Sequence, residues 1–403
     1  MASRSPSPSA LSPALEAKRA LVATACAARD VAALVELAAS THGLLSDSLR
    51  RTAWPLLLGC ADAQPPETPW QDLAAHAEEA QVDLDVNRAF VYYPPDSKPE
   101  LARRKQELSA VILDVLRRHP ALSYFQGYHD IVQVVYLVLG PRAAAPAAAR
   151  LSLLRIRDFM LSSIEPAIAQ LELLRPLLRA ADPELYAHLP ESSATFALAG
   201  TITMFAHNIQ EYRDITRLFD FFLTQHTVMP LYFFAAVALS RRDELLDIPH
   251  EDDDILHVML SKLPDPFDIE FHIARAKELY AALPPDSLAS WEWWRISSSS
   301  VLKTSATLAD IQRLTLEDGE RYFAQQEKEV RRQQYQKNLR RQVTKSIKHA
   351  RLRVWYYRRY GAVGLAVLVG AYALWLGKDL NPDTSKPPLF GYLSRIVQRF
   401  VAN

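Results

Sequence analysis

Two side chains 38 positions apart, Arg88 and Gln126, are the pair in this 403-residue sequence best suited to chemistry. Arg88 closes the string Val82-Asp83-Leu84-Asp85-Val86-Asn87-Arg88, and Gln126 lies within Tyr124-Phe125-Gln126-Gly127. Neither is a strong nucleophile or a metal ligand. A guanidinium can neutralise charge on a transferring phosphoryl group, and a carboxamide, which both donates and accepts, can orient a water for in-line attack. Asp85 and Arg88 stand three apart, so on a helix they share a face and the carboxylate can brace the guanidinium. Glu78-Glu79 suit the positive start of that helix and Arg88 its negative end, with Pro94-Pro95 expected to stop it. Gln126 falls past the break at Pro120, in a turn before the next helix, where Gly127 lets the backbone take a positive φ. Alone, D-x-x-R reads as a routine surface pair worth tenths of a kcal/mol, and Y-x-Q-G as a loop-bracing amide. Their co-occurrence lifts both above those readings.

The elements that position these residues read as all-α. Apolar residues recur at three- and four-residue intervals over 32–37 and 100–118, and no alternating β-branched run is long enough for a sheet. Pro120 ends the second helix, and residues 64–69 and 141–149 are expected to be loops from their proline and small-residue content. The nearly uncharged stretches 195–206 and 228–239 are too short for a bilayer and are expected to be buried core helices. No repeat of 20–50 residues is visible. Residues 1–13 form a Ser/Pro leader, and the Lys18-Arg19 pair before the Ala-rich 20–28 imitates a signal peptide only faintly, so a helix is expected there.

Lys plus Arg and Asp plus Glu each number 46, but residues 331–359 hold eleven basic residues and no acidic one. The block therefore has its own role. Residues 360–377 follow as 18 uncharged positions rich in Leu, Val, Ala and Gly, flanked by Trp355, Tyr356, Tyr357 and Trp375. This is the pattern of a transmembrane helix with aromatic belts, its basic side cytosolic and residues 378–403 lumenal. So short a span suits a thin bilayer such as that of the endoplasmic reticulum. The basic block next to a span points to anionic lipid headgroups, at about 1 kcal/mol per basic residue, rather than to nucleic acid. Residues 314–347 are expected to form a long polar helix, and residues 392–401 could form a small amphipathic one.

Two cysteines, Cys26 and Cys60, with no C-x-x-C pair provide neither a disulfide framework nor a zinc finger. His250-Glu251-Asp252-Asp253-Asp254 with His257 lacks metal-ligand spacing and reads as an acidic helix start, so no metal is assigned. Of Trp291, Trp293 and Trp294, two are expected to pack in the last lobe. No G-x-x-x-x-G-K-[ST] occurs, so the nucleotide is expected on a partner.

In order, the chain carries Leu49-Arg50-Arg51-Thr52-Ala53-Trp54-Pro55, then V-x-x-D-x-x-R, then Y-F-Q-G. This resembles the three leading motifs of the TBC-domain family, the GTPase-activating proteins for Rab GTPases, over roughly residues 44–320. The resemblance implies a V-shaped two-lobed helical domain over 14–320, with a finger lobe at about 44–190 and a second lobe at about 191–320. A basic juxtamembrane helix over 321–359 and the span follow. It also implies catalysis in trans by Arg88 and Gln126. Asp85, Tyr124 and Gly127 would position them, and Arg50 and Trp54 would be structural. GTP and magnesium would reside on the Rab, with no cofactor on this chain. An arginine finger is worth about 10³–10⁵ in rate, or about 4–7 kcal/mol of barrier. Tyr128-His129-Asp130 replaces the family's G-M-N-D-type string and Val82 its isoleucine. With the span, Tyr128-His129-Asp130-Ile131 looks like the endoplasmic-reticulum-anchored branch linked to the Rab of early secretory traffic. His129 is expected to bond locally. A non-catalytic Rab-binding tether or scaffold of the same fold is the alternative.

Overall fold

The computed structural model describes residues 12–94, 97–190, 194–250 and 252–377. Among them every regular element is a helix, as the sequence periodicity predicts. The leader up to residue 11, Pro95, Glu251 and the tail 378–403, with its expected helix at 392–401, lie outside the described residues. The chain separates into two compact units, with the boundary between Val330 and Arg331.

In the first unit the Tyr128–Leu154 helix runs through the centre, packed against Lys98–Arg118 and Asp47–Leu58. It is long and apolar enough to cross a membrane. Ile131, Val134, Val135, Val138 and Leu151 are instead buried in protein on all sides, which makes it a core helix. The loop expected at 141–149 is wrong: these residues are helical. Gly140, at φ 75° and ψ 168°, breaks the element, and Pro141 restarts it in the first turn, where a missing N–H costs nothing. The alanines that follow are the best helix formers, and Ala144, Ala147 and Ala148 pack inward.

The expected helix at 195–206 is also shorter than read. A single 3₁₀ turn, Thr195–Ala197, leads into Leu198–Ile202, and the chain then tightens at Met204 and Phe205, both at positive φ. The Phe205 amide bonds back to the Gly200 carbonyl at 2.7 Å, and its ring meets Phe233 edge-on with centroids 4.8 Å apart. That buried aromatic contact outweighs helix continuation. Met229–Ser240, by contrast, is the all-round apolar core helix expected. Both cysteines are free and buried.

A buried carboxylate organises the first sequence motif. Arg50 donates to both oxygens of Asp220 at 2.9–3.1 Å and to Asp47 at 3.0 Å. Trp54 Nε1 donates to Asp220 Oδ1 at 2.8 Å and the Leu44 amide to Oδ2 at 2.9 Å, while Trp54 stacks on Phe219. Other buried arginines close helix ends. Arg155 donates to the carbonyls of Phe222, Leu223 and Gln225, at the carboxy-terminal end of Tyr212–Thr224. Arg157 holds Leu153, Ser299 and Gln326, and with Asp158 fixes the segment that packs under residues 316–330.

The tryptophan expectation fails. Trp291 and Trp294 are exposed, and only Trp293 is half-buried, with the Lys303 ammonium 5.3 Å from its ring centre. The Glu292–Arg295 helix is a single surface turn, and Ile296 takes the inward position.

The Leu316–Gly377 helix begins within the first unit, where Phe323, Gln326 and Val330 are buried. In the second unit, residues 331–377 are helical and carry the basic block. Farther along, Val363, Leu365, Val367, Leu368 and Trp375 are each more than half exposed.

Asp220→Asn removes the charge that neutralises Arg50 inside the core. It is expected to cost about 3–5 kcal/mol of stability, read as a lower midpoint in urea unfolding. An unchanged midpoint would show that this pair does not hold the fold together.

Candidate functional site

The arginine sits just beyond a short helix, Glu79–Val86. Glu79 Oε1 accepts from the His76 amide at 2.7 Å and from Arg117 Nε at 2.7 Å, fixing the start. The helix stops at Val86, well before the prolines expected to end it. Lys105 Nζ caps the Asn87 carbonyl at 2.5 Å, and Phe90 turns the chain at φ 63° while its amide donates to Gln133 Oε1 at 2.8 Å. Arg88 closes the last turn through its amide to the Asp85 carbonyl at 2.9 Å.

Asp85 is fully buried. Its Oδ1 accepts from Arg88 Nη2 at 2.6 Å and from Gln81 Nε2 at 3.1 Å, and its Oδ2 accepts from the Tyr124 hydroxyl at 2.9 Å. The Arg88 side chain is 66% exposed, so the braced guanidinium points into solvent. Solvent screening leaves that pair little value for stability; its effect is aim. Burial, then the Asp85 charge, push the Tyr124 phenol far above its ordinary range, which keeps it protonated and donating.

Tyr124 also begins the glutamine turn, and its amide donates to Glu78 Oε2 at 2.5 Å. His76 adds a second tether: Nδ1 accepts from the Glu78 amide at 3.3 Å, so Nε2 carries the proton and donates to the Leu122 carbonyl at 3.0 Å. Phe125 packs on Tyr128 and Phe159, leaving Gln126 exposed. Gly127 takes φ 102°, and a Cβ there would lie 2.6 Å from Thr203 Cγ2. Only glycine fits. His129 bonds locally as expected: Nδ1 lies 3.3 Å from the Tyr124 hydroxyl and Nε2 3.2 Å from Asp130 Oδ1. Burial lowers its pKa, against the opposing pull of the Asp130 and Asp85 carboxylates. The other Asp130 oxygen meets His207 Nδ1 at 2.9 Å, and that hydrogen bond raises the pKa of His207.

Arg88, Gln126, Asp85, Tyr124 and Gly127 thus form one connected constellation, while Arg50 and Trp54 belong to the core. Sequence reasoning missed His76 and Thr203, and read Glu78 only as a helix-dipole residue; its partner amide lies 46 positions away. Asp253 opens the Asp253–Ser261 helix, and His250 Nδ1 is 3.1 Å from the His188 carbonyl. A cleft of about 930 Å³ lined by Cys26, Arg51, Cys60 and Arg142 contains neither Arg88 nor Gln126. The two polar tips stand outside it, where another macromolecule can reach them.

The all-helical body thus displays a braced guanidinium and, on a turn tied to the same buried carboxylate through Tyr124, an exposed carboxamide. The sequence profile of the Rab-GTPase-TBC domain matches residues 47–246. TBC1 domain family member 20 of Bos taurus is 36% identical over 356 residues, covering 87% of this chain and 85% of that protein. GTPase-activating protein gyp10 of Schizosaccharomyces pombe is 32% identical over 283 residues, covering 68% and 75%. The crystal structure of the Ypt/Rab-GAP domain of Gyp1p aligns at 15% identity and a TM-score of 0.49, over 62% of this chain and 92% of that one. The chain belongs to the Rab-GTPase-TBC domain family.

Gly127→Ala is expected to lower stability by about 1–3 kcal/mol through backbone strain, measured as a loss in unfolding midpoint. An alanine accommodated at no cost would show that the turn is not constrained. For His207, a folded pKa above the unfolded value of about 6.5 means that its stabilisation is complete below that pH and is lost as pH rises through the folded pKa. The stability gap between the parent and His207→Gln should therefore narrow from pH 6 to pH 8; a gap that widens would contradict the Asp130 pairing.

Proposed function

We propose that this protein stimulates GTP hydrolysis by a Rab GTPase, with Arg88 and Gln126 entering the nucleotide site in trans. The observation that carries the reading is Asp85. One buried carboxylate holds the arginine directly and the glutamine turn through Tyr124. Arg88 would neutralise charge on the transferring phosphoryl group, and Gln126 would orient the attacking water. GTP and Mg²⁺ arrive with the Rab; the chain itself brings no cofactor. The relative from Schizosaccharomyces pombe is named a GTPase-activating protein, which supports the same class of activity. A finger lobe over about 44–190 and a second lobe over about 191–320, set in a V whose groove receives the Rab, belong to the proposal. Both fingers fall in the first of these ranges.

The proposal extends to a single-pass anchor at 360–377, a headgroup-facing basic stretch over 331–359 of the helix that leads to it, a cytosolic body and a lumenal tail. Large apolar side chains exposed along 363–375 support it, because water would otherwise cover them at about 25 cal/mol per Å². The eleven basic residues before them fit the cytosolic leaflet. The shortness of the span and the Tyr128-His129-Asp130-Ile131 string support the endoplasmic reticulum and a Rab of early secretory traffic.

Single-turnover GTP hydrolysis across a panel of Rabs tests the chemistry. Arg88→Ala is expected to lose about 10³–10⁵ of the acceleration and Gln126→Ala about 10²-fold or more. A Rab whose own switch glutamine has been replaced should still respond. Stimulation by Arg88→Ala equal to that of the parent would remove Arg88 from the mechanism.

A further inference from the structure

We infer that Val91 and Tyr92, with Leu84, form the apolar surface on which the GTPase docks beside Arg88. This rests on the activity proposed above and assigns the residues that would bind the partner rather than act on its nucleotide.

The segment after Arg88 alternates in a way that solvation does not explain. Phe90 and Tyr93 are buried, while Val91 and Tyr92 between them are 73% and 54% exposed. Both flanking residues are pinned. Phe90 is held at φ 63°, a region unfavourable for a bulky residue, by the hydrogen bond its amide donates to Gln133 Oε1 and by an edge-on contact of its ring with Tyr136. Tyr93 packs on Tyr212 with ring centroids 5.4 Å apart. The backbone between them is anchored at both ends, so the outward presentation of Val91 and Tyr92 follows from the burial of their neighbours. Strain of this kind persists only where the surroundings enforce it. Leu84, 60% exposed, lies in the last turn of the Glu79–Val86 helix, four residues before Arg88. The guanidinium thus emerges with large apolar side chains on both chain-neighbouring sides.

The occupant follows from reach. Arginine is a short probe, so to bring its guanidinium into a nucleotide pocket the partner must lay the rim of that pocket against the residues flanking Arg88. Its matching surface is therefore apolar and borders the nucleotide. Aromatic and apolar centres with a charged residue set among them are the usual composition of energetically dominant interface patches. A rib anchored at both ends adds affinity by lowering the ordering cost of binding.

The test separates docking from chemistry. Detergent-solubilised full chain is titrated into each Rab carrying a fluorescent non-hydrolysable GTP analogue, and hydrolysis is followed in parallel with GTP. The variant Val91→Ser/Tyr92→Ser is expected to weaken binding about 10-fold or more, the loss of about 1.4 kcal/mol or more. Its hydrolysis rate at saturating protein should stay within about 2-fold of the parent. Leu84→Ser should weaken binding in the same direction, and Ile255→Ser, an exposed apolar position on another helix, should bind like the parent. Arg88→Ala should bind yet fail to accelerate. If Val91→Ser/Tyr92→Ser binds as tightly as the parent, or if it loses only the saturated rate, the docking assignment is overturned. Failure of the parent to accelerate hydrolysis while it still binds through these residues would instead sink the activity and leave the surface standing.

Discussion

A carboxylate with no access to water is the constraint on which the site depends. Asp85 must find partners for both oxygens, since an unpaired buried charge costs several kcal/mol. It finds them in Arg88, Gln81 and Tyr124, residues of two separate segments. Satisfying the charge therefore forces the arginine and the glutamine turn into a fixed relation. Neither tip is itself buried, so the rigidity comes from beneath. Glu78 and His76 repeat the principle one layer away, through main-chain groups at Tyr124 and Leu122. A constellation held this way loses little entropy when a partner arrives, the condition under which electrostatic stabilisation of developing charge is most effective.

The body beneath is assembled by the same device on a larger scale. Asp220 gathers Arg50, Trp54 and the Leu44 amide, and Arg155 and Arg157 reach into the unsatisfied carbonyls of other segments. Burial pushes the pKa of the Arg155 guanidinium below its ordinary range. It is tolerated because it caps three carbonyls that would otherwise be orphaned. Buried polar groups of this kind specify which helix meets which; the apolar contacts around Phe205, Phe222 and Phe233 supply the bulk attraction.

Much of the site was legible because its chemistry is local in sequence. Three-residue spacing placed Asp85 beneath Arg88, and a glycine after Gln126 marked a turn with positive φ. What misled was composition without context. Proline and alanine over 141–149 suggested a loop, yet a proline in the first turn and an alanine run make a good helix once Gly140 has broken the preceding one. The expected end of the Glu79–Val86 helix at Pro94-Pro95 missed Lys105 and Gln133, partners supplied from other helices. Of three tryptophans, two of which were expected to pack inward, Trp291 and Trp294 stand on the surface, since their four-residue helix buries none of its residues and Ile296 after it turns inward.

The sequence by itself determined the helical class, the family and the carboxylate that braces Arg88. Each of these is written in spacings of a few residues or in motif order. Tertiary structure alone decided that Tyr124 closes on Asp85, that Glu78 and His76 clamp the glutamine turn, that Asp220 is the hub of the first motif, and that Val91 and Tyr92 face outward. Those contacts join residues tens to more than a hundred positions apart, or depend on which neighbours are already buried. The physical reason is that no periodicity records the pairing of a buried donor with a distant acceptor; only the packed chain, with water excluded, makes the pairing obligatory.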